Sequence, residues 1–306
     1  MARSKQNILI RADSSFTVGT GHIMRDLVLA KQYPEANITF ATQELDGNIN
    51  HKVLEAEYTL KTLLSNDINE LDTLIKKLKI DLLIIDHYGI DHLFEKQLKK
   101  QNPSLTVLSL DDTYEKHYCD ILLNHNINAD AKKYHNLVPS HCKLRCGREY
   151  TLLREEFFRE KQKKVTKTNS KFTIFLAMGG ADTAKLNIPI LKVIQKFSHL
   201  NVIVVSTTAN KELKTLQNFT KNKKWIQLYI NSQNIAMLMK KSDLVICTPS
   251  VTVNEALFME LPLLAIKTAN NQNEIYKFLK RKRFNTLKKF NRIVLFNLLR
   301  IYLGKI

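Results

Sequence analysis

Short apolar runs alternate with helical segments along most of this chain, and this alternation limits the folds open to it. Strands are predicted in the first half at 7–11, 37–42, 81–85, 105–110 and 121–124. Helices are predicted at 22–33, 67–79 and 91–101, with a helical or irregular stretch from 48. Strands that alternate with helices form parallel sheets covered on both faces. The first half is therefore predicted to be one doubly wound α/β domain.

A second alternation follows a polar, basic stretch at 161–171, which we interpret as a linker. Strands are predicted at 172–177, 201–206, 225–230, 244–247 and 263–267. Helices are predicted near 184–198, 210–220, 233–241 and 250–260. The predicted fold is two Rossmann-like, doubly wound domains, 1–160 and 172–276, that face a cleft. The basic residues 277–306 are set apart as an atypical tail.

Composition excludes several classes of protein. The longest strongly apolar run, 293–303, is interrupted by Asn297 and Arg300, and a membrane span needs about 20 apolar residues. We therefore expect no stable membrane insertion. No secretory signal is expected, because the first apolar run is followed at once by Arg11 and Asp13. Four irregularly spaced cysteines are typical of free thiols in a cytoplasmic protein.

Positive charge is unevenly distributed along the chain. The formal net charge is +18, and the final thirty residues alone carry +10 with no acidic residue. The remaining +8 is compatible with an enzyme that handles anionic substrates and requires no polynucleotide. We therefore predict no nucleic-acid partner, although a basic nucleic-acid-binding protein remains the rival from another class.

The loop after the first strand carries Gly19, Gly21 and His22, immediately before a helix. Glycines allow close approach of a ligand to the backbone, and a helix amino terminus favours anions. A phosphate-binding loop and an ordinary turn with a surface histidine both fit this local pattern. Asp13, in the same loop, can either orient a base or cap the loop.

The second half repeats this arrangement. Gly179 and Gly180 follow a strand, and they either present amides to a phosphate or sugar or form a tight turn capped by Asp182. Glu255, in a later strand-to-helix segment, either accepts hydrogen bonds from ribose hydroxyls or is an ordinary helix carboxylate.

Other polar residues follow predicted strands. His87 is interpreted as a packing residue or a backbone partner, and the adjacent carboxylates of Asp111 and Asp112 as turn residues. The histidines and cysteines match no common zinc spacing, so no metal site is predicted.

Six motifs occur together in a fixed order. They are Arg11-x-Asp13-x-Ser15-x-x-x-Gly19-x-Gly21-His22-x-x-Arg25, Ile84-Ile-Asp-His-Tyr-Gly-Ile90, Arg145-Cys-Gly147, Arg154-Glu-Glu-Phe157, Met178-Gly-Gly-x-Asp182 and Val253-Asn-Glu-Ala-Leu257. Together they resemble sugar-nucleotide enzymes of the GT-B type. Within that type they are similar to the UDP-2,4-diacetamido-2,4,6-trideoxy-β-L-altropyranose hydrolases of pseudaminic acid biosynthesis, from about Ile8 to about Gln272.

The resemblance implies a role for each matching residue. It makes His22 the general base, the amino-terminal domain the holder of the sugar and the carboxyl-terminal domain the holder of UDP. The implied substrate-side residues are Asp13, Gly19, Gly21, Arg25, Tyr88 and Asn271. The implied nucleotide-binding residues are Gly179, Gly180, Asn254 and Glu255. No cofactor or metal is implied. A neutral imidazole at a helix amino terminus can take a proton from water, and a single displacement by that water inverts the anomeric carbon.

Alternatives remain for the reaction and for the tail. A GT-B glycosyltransferase would place an acceptor hydroxyl where the hydrolase places water. The tail is open to three interpretations: a packed terminal helix, a basic amphipathic segment that touches anionic lipid, or an extension in an altered reading frame that the fold does not use. The sequence predicts a UDP-sugar substrate and no particular oligomeric state.

Overall fold

The computed structural model describes residues 5–163 and 171–304. The chain divides between Leu152 and Leu153 into two compact units, each with its own sheet. The expected linker at 161–171 falls mostly on residues 164–170, outside the described residues. Its first two positions are the end of a helix.

The described residues of the first unit form seven strands and four α-helices. In chain order they are β1 (Asn7–Ala12), α1 (Gly21–Ala30), β2 (Asn37–Gln43), α2 (His51–Glu55), β3 (Thr59–Leu63), α3 (Ile68–Leu78), β4 (Leu82–Asp86), α4 (His92–Gln101), β5 (Thr106–Leu110), β6 (Ile121–Asn124) and β7 (Lys143–Cys146). The sequence predicted most of these elements but missed β3 and β7. Two short 3-10 helices, Ala131–Tyr134 and Arg148–Tyr150, flank β7.

The first sheet is parallel throughout, with the order β3-β2-β1-β4-β5-β6-β7. Its strand order reverses between β1 and β4, where Arg11 pairs with Ile85 and Ala12 with Asp86. Parallel α/β sheets bind ligands at the carboxyl ends of the strands beside such a reversal. The residues that follow β1 and β4 therefore lie where a ligand site is expected.

Alternating side chains of β1 enter different hydrophobic clusters. Ile8 and Ile10 belong to the cluster that contains Ile23 of α1, whereas Leu9 packs in a second cluster with Leu71 of α3. A strand buried on both faces needs apolar residues at every position, which explains the continuous apolar run.

In the second unit, residues 153–163 and 171–304 form six strands and seven α-helices. They are α5 (Glu155–Gln162), β8 (Phe172–Ala177), α6 (Asn187–Ile194), β9 (Leu200–Ser206), α7 (Leu213–Thr220), β10 (Ile226–Ile230), α8 (Ile235–Lys240), β11 (Leu244–Cys247), α9 (Val251–Phe258), β12 (Leu263–Ile266), α10 (Asn273–Arg281), β13 (Asn285–Leu287) and α11 (Arg292–Leu303). A 3-10 helix, Asn270–Gln272, precedes α10. The sheet is again parallel, with the order β10-β9-β8-β11-β12-β13. Its reversal lies between β8 and β11.

Helix α5 belongs to the second unit, which begins at Leu153, whereas the first domain was expected to extend to residue 160. Its Phe157 is fully buried in the cluster that contains Phe175 of β8 and Ala236 of α8. The expected boundary was late because α5 is mostly charged, with one buried side chain in eight residues.

The basic tail at 277–306 is not separate from the second unit. β13 pairs with β12 in parallel, and Leu295 and Leu299 of α11 are fully buried in a cluster with α6. Of the three interpretations of the tail, a packed terminal helix describes α11. The interpretation of the tail as an extension that the fold does not use is wrong. The described residues include no helix long and apolar enough to cross a membrane.

Candidate active site

The loop between β1 and α1 opens a space beside the sheet reversal. Gly19 has a φ of +87°, in the left-handed region that other residues avoid, and exchanges backbone hydrogen bonds with Ser15. A Cβ added at Gly19 or Gly21 would meet no atom within 4 Å. Among the described residues, the amide groups in the first turn of α1 have no side-chain cap.

His22, the second residue of α1, is held by Asp86 at the end of β4. Asp86 Oδ1 lies 2.8 Å from His22 Nδ1, and His22 is only 6% exposed. Arg25 Nη2 also lies 3.2 Å from this nitrogen, but a guanidinium only donates, so Asp86 is the partner that can accept. A hydrogen bond from Nδ1 to Asp86 leaves Nε2 with its lone pair free to accept a proton.

Arg25 lies one helical turn after His22 and holds the acidic side of the site. Its Nε donates to Asp86 Oδ2 at 2.6 Å, Nη2 donates to Asp86 Oδ1, and Nη1 donates to Asp112 at 3.0 Å. Burial alone would raise the pKa of Asp86, but the charge of Arg25 and the hydrogen bonds from Arg25 and His22 hold that pKa well below its usual range. Asp86 is therefore an anion that orients His22. Arg25, predicted on the substrate side, is itself buried among these partners.

Tyr88 covers His22 from the loop after β4. Its ring meets the His22 ring edge to face, with 4.9 Å between centroids, and its hydroxyl donates to Asp112 Oδ1 at 2.9 Å. Tyr88 is 51% exposed, so part of its ring remains available to a ligand. Asp112, interpreted from sequence as a turn residue, in fact joins Tyr88 to Arg25. Its neighbour Asp111 does accept the turn amides of Thr113 and Tyr114.

Asp13 occupies a separate buried network beside this site. Both of its carboxylate oxygens accept from Arg11 at 2.7 Å, and one also accepts from the Gln43 amide. His87 Nε2 lies 3.1 Å from the same carboxylate. Burial raises the pKa of Asp13, but His87 and Arg11 outweigh burial and hold it well below its usual range. His87 is thus a partner of Asp13 as well as a packing residue.

Sequence reasoning missed two further polar residues here, Asp26 and His125. Both are fully buried, and Asp26 follows His22 by four residues, on the same face of α1. Neither Asp26 oxygen has a hydrogen-bond partner among the described residues, and burial beside Asp86 raises its pKa well above the usual value. His125 Nε2 lies 3.4 Å from Arg25 Nη1, and burial together with Arg25 lowers the pKa of His125 to about 3.

The second unit presents its glycine loop after β8. Gly179 has a φ of +81°, and a Cβ added there would meet nothing within 4 Å. The Gly180 carbonyl accepts from Thr207 at 3.0 Å, which ties the loop to the end of β9. Asp182 accepts from the amides of Leu186 and Asn187, both at 2.9 Å. Asp182 therefore caps α6, as one of the two sequence interpretations expected.

Asn254 and Glu255 lie in α9, on the other side of the second reversal. Both are buried, and Glu255 Oε1 accepts from Arg154 at 2.9 Å. Burial raises the pKa of Glu255, while Arg154 favours its charged form. Arg154 also contacts Glu156 at 2.7 Å, which draws the start of α5 to α9. The Arg154-Glu-Glu-Phe157 motif thus contacts Glu255 through Arg154.

Each sheet reversal thus brings together part of the predicted site. The first collects His22 and Tyr88 with Asp86, Arg25 and Asp112. The second has Gly179 and Gly180 on one side and Asn254 and Glu255 on the other. Asn271 lies in the 3-10 helix after β12 in the second unit. Asp86 could have been predicted from the sequence. It ends β4, the strand beside β1, and it lies in the motif Ile84-Ile-Asp-His-Tyr-Gly-Ile90.

The fold is that of the GT-B glycosyltransferases. MurG of Acinetobacter baumannii matches 98% of the chain with a TM-score of 0.64 and 13% identity, covering 91% of that protein. The spinosyn rhamnosyltransferase SpnG, solved with thymidine diphosphate, matches 98% of the chain with a TM-score of 0.66 and 11% identity, covering 92% of that protein. No protein-family model matches the chain.

Sequence comparison is more specific. The chain is 40% identical over 283 residues to the UDP-2,4-diacetamido-2,4,6-trideoxy-β-L-altropyranose hydrolase of Campylobacter jejuni, which covers 92% of this chain and 99% of that protein. An uncharacterized protein of Methanocaldococcus jannaschii is 30% identical over 296 residues, covering 92% of this chain and 60% of its own length. The chain belongs to the family of the Campylobacter hydrolase.

Proposed function

We propose that this protein hydrolyses UDP-2,4-diacetamido-2,4,6-trideoxy-β-L-altropyranose to UDP and the free sugar, as a step in pseudaminic acid biosynthesis. The Campylobacter relative of that name, 40% identical and matched over almost its whole length, supports the substrate. The observation that carries the reaction type is the His22–Asp86 pair at the first sheet reversal. We also propose a cytoplasmic location, consistent with four free cysteines among the described residues.

His22 is the general base of the proposed reaction. Asp86 accepts a hydrogen bond from Nδ1–H of His22, so Nε2 can take a proton from water as that water attacks the anomeric carbon. The bond between this carbon and the distal phosphate oxygen breaks, and its electron pair leaves with UDP. One displacement by water inverts the anomeric centre. Asp86 remains ionised and stabilises the imidazolium that forms.

The leaving group explains why one base can suffice. UDP departs as a stable anion, so the protein needs chiefly to stabilise negative charge on the distal phosphate. The amides at the start of α1 and the space beside Gly19 and Gly21 suit that charge. Hydrolysis is proposed to require neither a metal nor a cofactor, and turnover in excess chelator tests this.

The remaining predicted residues keep the roles that the resemblance implies, except where their contacts point to another role. Tyr88 and Asn271 are proposed to bind the sugar nucleotide, and Gly179, Gly180, Asn254 and Glu255 to bind its UDP portion. Arg25 and Asp13 are proposed to position the site, because the guanidinium nitrogens of Arg25 and both carboxylate oxygens of Asp13 already bind other protein groups. Arg25 holds Asp86 and Asp112, and Asp13 holds the start of the loop that leads to His22.

Replacement of His22 tests the proposed base. His22→Gln is expected to release UDP at least about a hundredfold more slowly while it keeps its affinity for UDP. His51→Ala, which removes an exposed histidine of the same unit, is the matched control and should keep full turnover. Near-normal turnover by the His22 variant would exclude His22 as the base.

A glycosyltransferase is the second candidate, because structural neighbours such as MurG and SpnG are GT-B enzymes. The two functions differ in what occupies the position beside His22. A hydrolase releases UDP from the UDP-sugar in buffer alone. A transferase releases UDP at a comparable rate only when an acceptor is added.

A further inference from the structure

The edge of the second sheet carries a dense group of exposed cations that the proposed reaction does not use. We name as the basic edge the eight exposed side chains of Lys280, Arg281, Lys282, Arg283, Lys288, Lys289, Arg292 and Arg300. Four lie shortly before β13 and four lie after it, and β13 is the terminal strand of its sheet. Asn285 donates to the Tyr302 hydroxyl at 2.8 Å, which fixes the end of α11 beside the start of β13.

Negative charge is missing from this part of the sequence. No acidic residue follows Glu274, and Glu274 forms an ion pair with Lys277. Within residues 5–163 and 171–304, no ion pair joins any of the eight cations to a carboxylate. A surface of this kind attracts a polyanion or an anionic membrane.

Exposed aliphatic side chains lie among these cations. Ile293 and Val294, at the start of α11, are 73% and 45% exposed, and Ile301, near its end, is 56% exposed. They adjoin Arg292 and Arg300 in the sequence. Apolar side chains beside cations suit a lipid interface, where the cations meet headgroups and the aliphatic groups enter the acyl boundary.

Aromatic side chains on this part of the fold are turned to the core. Phe290, Phe296 and Tyr302 pack against the cluster that contains Leu295, and Phe284 packs against the cluster on the other face of the sheet. Single-stranded nucleic acid is bound by cations together with exposed aromatic rings on which bases stack. The side chains available here favour lipid over RNA.

We propose that the basic edge docks this protein reversibly onto a membrane surface rich in anionic lipid. Lysines also protect terminal strands from pairing with other chains, which accounts for charge at this position. Edge protection does not account for three exposed aliphatic side chains. Each cation near such a surface adds about 1 kcal/mol of attraction, so several are sufficient for reversible docking without insertion.

Vesicle co-sedimentation of the full chain tests this docking. The protein is expected to bind phosphatidylcholine vesicles that contain about 30% phosphatidylglycerol, and to bind pure phosphatidylcholine vesicles at least about tenfold more weakly. The triple variant Lys288→Glu, Lys289→Glu, Arg292→Glu should lose roughly 100-fold in partitioning. The double variant Ile293→Ser, Val294→Ser keeps every charge and should lose about tenfold through its apolar contribution alone.

A matched charge reversal is available at the opposite edge of the same sheet. Lys214→Glu, Lys221→Glu and Lys224→Glu change three exposed lysines around α7 and the start of β10, and this variant should lose less than about threefold. Equal losses in the two triple variants would overturn the proposal, since only overall charge would then matter. Absence of vesicle binding by the wild type, or binding of a single-stranded RNA oligonucleotide in preference to vesicles, would overturn it as well.

Discussion

Asp86 Oδ1, at the end of β4, lies 2.8 Å from His22 Nδ1, in the helix that follows β1. The strand order of the first sheet reverses between β1 and β4. Arg25 donates to both oxygens of the same carboxylate. Asp86 therefore fixes the orientation of His22, and Arg25 fixes the carboxylate of Asp86. The site depends on this chain of contacts as much as on His22 itself.

Asp86→Asn should reduce turnover by about 10² to 10⁴, because an amide neither fixes the Nδ1 proton as firmly nor stabilises the imidazolium. Affinity for UDP should be retained, since the proposed nucleotide-binding residues lie in the second unit. An assay of UDP release measures turnover, and calorimetric titration with UDP measures affinity. Asp46→Asn, at an exposed position of the same unit, is the control. Unchanged turnover in the Asp86 variant would remove Asp86 from the mechanism.

Asp26→Asn should stabilise the fold at neutral pH. Burial raises the pKa of Asp26 well above its unfolded value, so the folded state holds a neutral acid where the unfolded chain ionises. The free energy of unfolding of the wild type therefore falls as pH rises above about 4. That of the amide variant does not fall for this reason, because asparagine does not ionise. Thermal unfolding of both proteins from pH 4 to pH 8 should show a gap that widens with pH. A constant gap would mean that Asp26 ionises normally.

Much of this arrangement follows from the sequence. Apolar runs such as Leu82-Leu-Ile-Ile85 predict buried parallel strands because both faces of the sheet must be covered. The two glycine loops were located correctly because a strand, a glycine and a helix follow one another in each. β3 was missed because most of its residues are at least partly exposed, so it lacks the continuous apolar pattern.

Contacts between distant segments could not be predicted in the same way. Asp112 lies 87 residues from Arg25, and nothing near it in sequence distinguishes it from the turn residue Asp111. The burial of Asp26 and His125 likewise arises from packing around α1 rather than from local pattern. The sequence left three interpretations of the tail open because its charge hides Leu295 and Leu299, whose spacing of four residues places them on one face of α11.

His117→Gln should lower stability most in acidic to neutral solution. Burial alone would lower the pKa of His117, but its carboxylate neighbours Asp111 and Glu95 raise it to about 10 from 6.5. The stabilisation is complete below pH 6.5 and is lost as pH rises toward 10, by about 1 kcal/mol per pH unit. Urea unfolding of the wild type and of the His117→Gln variant at pH 6 and pH 9 measures this stabilisation. The difference between them should shrink at pH 9, and a larger difference there would contradict the assignment.

Glu255→Gln and Asp182→Asn separate a proposed nucleotide ligand from a helix cap. Glu255→Gln should weaken UDP binding about tenfold, through loss of a charged hydrogen-bond acceptor. Asp182→Asn should change the free energy of unfolding by at most about 1 kcal/mol at neutral pH, because loss of the cap on α6 is offset by relief of the burial that raises the pKa of Asp182 to about 6. It should leave UDP affinity unchanged. Calorimetric titration with UDP and thermal unfolding distinguish the two effects. Weaker UDP binding in the Asp182 variant alone would reverse the assignment.

The most direct test follows UDP-2,4-diacetamido-2,4,6-trideoxy-β-L-altropyranose by NMR in the presence of the wild type and no acceptor. UDP should appear together with an equal amount of free sugar, and the first sugar detected should have the anomeric configuration opposite to that of the substrate. The His22→Gln variant should release neither product at a comparable rate. Absence of UDP release, or a first product that retains the substrate's configuration, would contradict a single displacement by water activated at His22.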